Sequence, residues 1–293
     1  MTVSVVIPAY RAAAVIGRAL KSVAAQTVQP VLVIVVDDGS DDGTAEAARA
    51  LSNIFEDGVL MVIEQSNRGP GAARNRGLSA AASTYIAFLD ADDEWLPEHL
   101  ERSLGEMAKG NFVLTAHDFL AIRGERREHV ACARRFRGMP DPFVGLYRKG
   151  FIGASTVLAR RDAIVAAGGF DEALAAAQDF DLWLTMTAAP GAQFSVFDDP
   201  LTLYYPSPGG ITGKTRQRLR CTLRVAGRHA ASLKGRPGGV LGNLWNRVLA
   251  VHYEAARAFL AKGDFIGLFG VLAVLPVNLI SQSAGVLFRR RHP

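Results

Sequence analysis

Cysteine is nearly missing. Cys132 and Cys221 are the only two in 293 residues, far apart and without metal-ligand spacing. That excludes a disulfide framework and a cysteine-held zinc site, and it fits a reducing compartment. None of the six histidines falls in a ligand pattern either. There is no low-complexity tract and no internal repeat, so neither a disordered linker nor a solenoid is expected. No signal-peptide pattern opens the chain, because Thr2 leads directly into the apolar run VSVVI; the expectation is a cytoplasmic protein. Acids are scarce at one end. From Gly213 onward 14 Lys and Arg face only Glu254 and Asp264, a net +12 that leaves −7 for residues 1–212. A body of that sign excludes nucleic acid as a partner, whereas the basic tail suits an acidic surface such as an anionic membrane.

What is present is a globular composition, 49% hydrophobic and 21% charged, in a chain long enough for one large domain with an extension. Val3–Ile7, Val31–Val36, Leu60–Ile63 and Tyr85–Leu89 are near-continuous apolar runs, the pattern of buried parallel strands. Between them Val15–Ala25 has helical spacing, Thr44 or Asp42 can cap a second helix, and Ala72–Ala80 forms a third. The β-α-β-α-β-α-β order predicts an α/β fold, a mostly parallel sheet with helices on both faces.

Each strand's carboxyl end carries an unusual loop, and in such a sheet these ends line one crevice. They hold Pro8-Ala9-Tyr10, Asp37-Asp38-Gly39-Ser40, Asn67 with Arg74 nearby, and Asp90-Ala91-Asp92-Asp93. Crowded carboxylates on a short bent loop suit a hard cation such as Mg²⁺ or Mn²⁺; the other reading is a solvated acidic turn that caps the helix after Pro97. Asp38 can accept from a base N–H, Tyr10 can stack, and Arg74 can meet phosphate oxygens. Asp37–Asp42 also reads as an Asx-rich turn, and Arg74 and Arg76 as surface ion pairs.

VSVVIPAYR, VVDDGSDDGT, NRGPGAARNRGL and YIAFLDADDEW, in this order and spacing, resemble the nucleotide-binding half of family 2 glycosyltransferases. The resemblance continues through Ile152–Leu184 and fades after about Thr212. It implies a GT-A fold over residues 1–212, with a nucleotide-sugar half (1–110) and an acceptor half (111–212). It also implies inverting transfer of a sugar from a nucleotide-diphosphate donor, UDP- or GDP-linked, to an acceptor hydroxyl. By similarity Pro8, Ala9, Tyr10, Asp38, Ser40, Asn67, Arg74, Asp90 and Ala91 bind the nucleotide sugar. Asp90, Asp92 and Asp93 would hold the divalent metal, Mn²⁺ or Mg²⁺. Phe170-Asp171-Glu172 and Gln178-Asp179-Phe180-Asp181-Leu182-Trp183 resemble the family's acceptor-side segments. They place the general base on Asp179, with Asp171, Gln178 and Trp183 beside the acceptor, while Leu182 and Trp183 also read as core. Asp179 alternatively reads as a helix N-terminal acid. Two positions depart from the pattern: Gln178 stands where the family has Glu, and Ser207 where it often has His. His117, beside Asp118, reads as structural or acceptor-side.

The extension, 213–293, is expected to be helical. Arg216, Arg220, Arg224 and Arg228 recur every four residues, a basic stripe on a helix. Phe265–Phe288 is 24 residues without a charge, followed by Arg289-Arg290-Arg291. That length could span a bilayer, but Pro276 and the polar residues after it favour a helix broken at Pro276 and lying in the interface. Packing against the catalytic domain or a second copy stays open. A lipid-linked or cell-surface glycan acceptor would make a membrane-facing tail sensible, with the enzyme at the inner face of the cell membrane. A dinucleotide oxidoreductase would show G-x-G-x-x-G where Pro8-Ala9-Tyr10 stands, and a nucleotidyltransferase a Gly-rich basic loop there. A non-catalytic binding protein on the same fold is the alternative, resting on Gln178 and Ser207.

Overall fold

The computed structural model describes residues 1–150, 152–189, 191–206 and 214–289. Its first half follows the expected alternation: β1 (Val3–Ala9), α1 (Ile16–Ala24), β2 (Leu32–Asp37), α2 (Thr44–Arg49), β3 (Leu60–Glu64), α3 (Pro70–Ala80) and β4 (Tyr85–Phe88). β1, β2 and β4 are buried on both faces, as their apolar runs require. β3 closes the sheet edge and is half-buried. α3 begins at Pro70, two residues before the expected Ala72. Proline's fixed φ suits a first turn, where its missing N–H has no intrahelical partner to lose.

The second half supplies β5 (Glu94–Trp95), α4 (His99–Met107), β6 (Phe112–Arg123), β7 (Arg126–Val130), α5 (Ala133–Phe136), α6 (Pro142–Lys149), β8 (Leu158–Arg160), α7 (Arg161–Ala166), α8 (Gln178–Ala188) and β9 (Gln193–Tyr204). The sheet order is β3-β2-β1-β4-β8-β6-β9-β5, with β7 paired to β6. β3, β2, β1 and β4 run parallel, and β8 enters antiparallel between β4 and β6. β8 starts at Leu158, within the stretch Ile152–Leu184 over which the resemblance continues. Before it, Ala154–Thr156 is a 3₁₀ turn, closed by the Thr156 hydroxyl donating to the Gly153 carbonyl at 2.8 Å.

Alternate residues of each central strand feed two cores. Val5, Ile7, Val33, Val35 and Ala87 face α1 and α4; Val6, Ile34, Val36, Ile86 and Phe88 face α3 and α8. α3 packs so closely on β1 that a Cβ on Gly77 would lie 2.4 Å from Val6 Cγ1.

The extension forms α9 (Thr215–His229), α10 (Gly239–Ala261) and α11 (Phe265–Arg289). Leu219, Leu223, Leu244, Val248 and Val251 join the same core as Trp183 and Leu146, so α9 and α10 are built into the catalytic unit. α11 departs from the expected break: it runs on through Pro276 as one helix. A proline removes one backbone hydrogen bond and can kink a helix, but the turns on either side carry this one through.

Candidate active site

The loops at the carboxyl ends of β1, β2 and β3 are stitched to one another by backbone N–H groups. Arg11 N–H donates to Ser40 Oγ at 2.9 Å, Ala12 N–H to Thr44 Oγ1 at 2.8 Å and Ala13 N–H to Asp42 Oδ2 at 3.1 Å. Arg11 sits at φ 51°, a left-handed turn that carries the chain away from β1. Asp38 is 3% exposed. Its Oδ1 accepts from Gln65 Nε2 at 2.8 Å and Arg68 N–H at 2.9 Å, and its Oδ2 accepts from Gly69 N–H at 2.8 Å. A carboxylate has about four acceptor positions, so Oδ2 keeps one for a base N–H while the rest set the loop. Ser40 is turned inward, its hydroxyl donating to Asp37 Oδ1 at 2.5 Å. Tyr10 and Asn67 are exposed, Pro8 is half-buried, and Ala9 and Ala91 are buried.

β4 delivers the acidic loop. Asp90 meets Arg74 at 2.6 Å across from α3, and the Arg74 side chain is 8% exposed. Arg74 Nε is buried without a partner. Asp92 is half-buried; burial, and then the charge of Asp90, push its carboxyl above the usual range. Asp93 differs from its expected place in the metal set. It is 2% exposed, accepts from Ser155 Oγ at 2.5 Å and Tyr205 N–H at 3.2 Å, and so braces the loop from behind. Burial first, with Asp90 and Asp92, raises its carboxyl well above the ordinary value. Ser155 Oγ also accepts from Asp90 N–H at 3.1 Å, so one hydroxyl sets the backbone of the first acid and the side chain of the third.

α8 brings Asp179 to the same place. Its Oδ1 accepts from Phe180 N–H at 2.8 Å in the first helical turn. Burial raises its carboxyl above the usual value, Asp90 adds to that and Arg74 opposes it. Asp179, Arg74 and Asp90 therefore share one electrostatic field, though 89 residues separate the last two of the chain's acids involved, Asp90 and Asp179. The residue before the helix, Ala177, lies at φ 61° in the left-handed region, where a non-glycine residue costs about 1–2 kcal/mol. α8 begins abruptly, and its acid is aimed by that turn.

The structure places the three residues expected beside the acceptor as follows. Trp183 is fully buried against Phe88 and Phe170 and belongs to the core. Gln178 is 4% exposed and donates back to the Leu174 carbonyl at 2.7 Å. Asp171 is held by Arg228 at 2.6 Å. Ser207 lies outside the described residues. His117 proves structural. Its Nδ1–H donates to the Asp118 carbonyl at 2.6 Å, so Nε2 accepts from His99 Nδ1 at 2.9 Å, and His99 stacks on Trp95 behind the acidic loop.

Sequence reasoning missed a set of cations. Arg18 of α1 donates to the Asp92 carbonyl and lies 3.6 Å from the centre of the Tyr205 ring. Arg228 and His229 of α9 hold Asp181 at 2.6 and 2.9 Å. Arg247 of α10 lies 4.5 Å from the centre of the Phe180 ring. The four-residue arginine stripe was visible in the sequence, but nothing there says that Arg228, exposed like its fellows Arg216, Arg220 and Arg224, pairs with both Asp171 and Asp181.

No three His, Cys, Asp or Glu side chains converge on one point among the described residues. Asp90 and Asp92 share one loop, close enough for the charge of Asp90 to raise the Asp92 carboxyl, and Mg²⁺-type sites commonly use one or two carboxylates completed by substrate phosphates. The donor set present therefore fits a hard divalent cation. A separate cavity of about 350 Å³ opens at the amino ends of the strands, lined by Tyr85, Phe112 and Arg160 among others, away from these groups.

Comparison with known proteins gives the family and the fold. Residues 4–164 match the family model described as glycosyl transferase family 2. The succinoglycan biosynthesis protein ExoW of Rhizobium meliloti is 41% identical over 109 residues, 36% of this chain. The chain covers 38% and 34% of the lengths of two curated relatives it matches. Among solved structures, TarS 1–349 of S. aureus in complex with UDP-GlcNAc aligns at TM-score 0.70 and 20% identity, over 95% of this chain and 82% of that one. The mannosyltransferase PcManGT of Pyrobaculum calidifontis, in complex with GDP-Man and Mn²⁺, aligns at TM-score 0.65 and 19% identity, over 99% and 88%. The fold is GT-A, and the match over more than half of its length makes this chain a member of glycosyltransferase family 2.

Proposed function

We propose that the protein is an inverting glycosyltransferase that moves a sugar from a nucleotide-diphosphate donor to an acceptor hydroxyl, with Asp179 as general base. The observation that carries this reading is the shared field of Asp179, Arg74 and Asp90: the base sits beside the groups that would hold the diphosphate. Pro8, Ala9, Tyr10 and Asp38 hold the nucleoside, and Arg74 meets the phosphates, to which Asp90 can release it. Asp90 and Asp92 would hold a divalent cation, Mn²⁺ or Mg²⁺, which when bound offsets charge on the departing diphosphate. The acceptor oxygen attacks the anomeric carbon as its proton passes to Asp179, and the bond to the phosphate oxygen breaks with its electron pair on the diphosphate. Attack from the face opposite the leaving group inverts the centre without a covalent intermediate. A raised carboxyl pKa makes Asp179 a stronger base than an ordinary aspartate.

The acceptor class is a cell-surface polysaccharide or lipid-linked glycan precursor, met at the cytoplasmic face of a membrane. The relatedness to a succinoglycan biosynthesis protein and the basic extension support that reading. Calorimetric titration of nucleoside diphosphates and nucleotide sugars, with and without Mn²⁺, tests the donor site. Metal-dependent binding weakened by Asp92→Ala is expected. Asp179→Asn should bind donor normally and lose turnover by about 10²–10⁴-fold; a folded Asp179→Asn enzyme with near-normal turnover sinks the assignment of the base.

A further inference from the structure

α10 and α11 form an antiparallel hairpin whose register is fixed by its cross-contacts. Trp245 Nε1 donates to Ser283 Oγ at 2.8 Å, His252 Nε2 accepts from Asn278 Nδ2 at 3.0 Å, and Phe259 lies against Gly267. One face of α10, through Leu244, Val248, Val251 and Phe259, packs into the catalytic core. The opposite face shows Leu241, Trp245, Leu249, Tyr253 and Leu260 to the outside, at near-helical spacing. α11 is covered still less: 11% of its most apolar stretch is buried, so it is not a core helix. Ile266, Phe269 and Ile280 are 83%, 68% and 71% exposed.

At 3.6 residues per turn, the exposed positions of α11 sweep roughly two-thirds of its circumference. Within that arc no residue from Phe265 to Phe288 is charged. A partner protein helix covers a seam, about two positions in seven. An arc this wide, together with the stripe on α10, is matched by an apolar medium rather than by one facing surface. Along the chain cations flank it, Arg257 and Lys262 before α11 and Arg289-Arg290-Arg291 at its end in sequence, and Arg220 and Arg224 on α9 are exposed. Those cations complement anionic lipid headgroups.

We infer that the α10–α11 hairpin is a docking surface for an anionic lipid bilayer and lies in its plane without crossing it. A span is excluded by the packing. α11 lies along α10, so crossing would carry α10 into hydrocarbon with its exposed Asn246 and Arg257 and the Arg218–Glu254 ion pair. In-plane docking buries Ile266, Phe269, Val277 and Ile280 and leaves those groups at the headgroup level. It has a consequence for the acceptor, and this clause alone rests on the proposed base. α10 turns Arg247 onto the Phe180 ring, next to Asp179, while its other face meets lipid. The base then lies on the far side of one helix, more than roughly 10 Å from the membrane surface, where a lipid-borne hydroxyl on a glycan head can meet it.

The test is co-sedimentation of the full chain with vesicles of phosphatidylcholine alone and of phosphatidylcholine with phosphatidylglycerol. Binding to the anionic vesicles is expected, weakened by salt, and weakened about tenfold by Phe269→Glu or Ile280→Glu. Both positions are exposed, and unchanged circular dichroism and nucleotide binding will show that the variants fold. Lys262→Cys and His292→Cys should both react with an impermeant maleimide added outside the vesicles; protection of either until detergent is added would mean a span and overturn the in-plane arrangement. Two further outcomes overturn the proposal: no binding to either vesicle, or a dimer in solution that Phe269→Glu dissociates without any effect on lipid binding. Donor binding is read separately, so failure here is distinct from failure of the active-site assignment.

Discussion

Removing Arg228 isolates the link between the helical extension and the proposed base. The guanidinium bridges two acids, Asp181 and Asp171, each at 2.6 Å. Asp181 is 5% exposed, two residues after Asp179 on the same helix turn, and keeps only His229 as a second partner. A hydrogen bond to a charged group contributes about 1.5–3 kcal/mol. The Arg228 side chain is 37% exposed, so solvent screens the arm to Asp171 more than the arm to the buried Asp181. Arg228→Met should therefore cost about 2 kcal/mol of stability, most of it through Asp181. In urea unfolding, a double-mutant cycle of Arg228→Met with Asp181→Asn should show coupling of about 1–2 kcal/mol, and the cycle with Asp171→Asn less. Because the clamp grips the start of α8 and not the nucleotide loops, kcat should fall about tenfold, 1.4 kcal/mol of barrier, with donor affinity unchanged. Coupling within about 0.5 kcal/mol of zero would refute the clamp. Lost stability with unchanged kcat would show that it braces the fold and does not aim Asp179.

The buried His99–His117 pair should make the fold acid-sensitive. Burial pushes His117 from 6.5 down to about 4, so the unfolded chain takes up the proton first; stability is fully present above about pH 6.5 and falls by about 3 kcal/mol as pH drops toward 4. A urea midpoint that stays level over that window would contradict it. Ala177→Gly relieves a left-handed alanine and should raise stability by about 0.5–1 kcal/mol, read as a higher Tm. Gly77→Ala drives a methyl to within 2.4 Å of Val6 and should cost about 1–3 kcal/mol, with Val6→Ala restoring part of the loss on the same denaturation curve.

The parallel half of the sheet was legible in the sequence because burial on both faces demands unbroken apolar strands, and Val3–Ile7, Val31–Val36 and Tyr85–Leu89 are such runs. The loops at the strand ends were legible too, since short glycine- and aspartate-rich links leave little freedom. Asp90, Arg74 and Asp179 could be named from their motifs alone. Tertiary structure decided what each polar side chain does with its atoms. Asp93 reads like its neighbours Asp90 and Asp92, yet Ser155, 62 residues on, turns it inward. Trp183 has the residue type of a sugar platform but sits where β4 and α8 close the core. Four arginines at equal spacing are identical in sequence, and only the approach of α8 gives Arg228 its partner Asp181. Local pattern sets which face of an element is apolar; it carries no information on which distant hydrogen-bond donor will arrive opposite a given carboxylate. The same holds for α11. Its composition allowed a span, an interfacial helix or a core helix; its low burial and its register against α10 are tertiary facts, and the proposed in-plane docking rests on them.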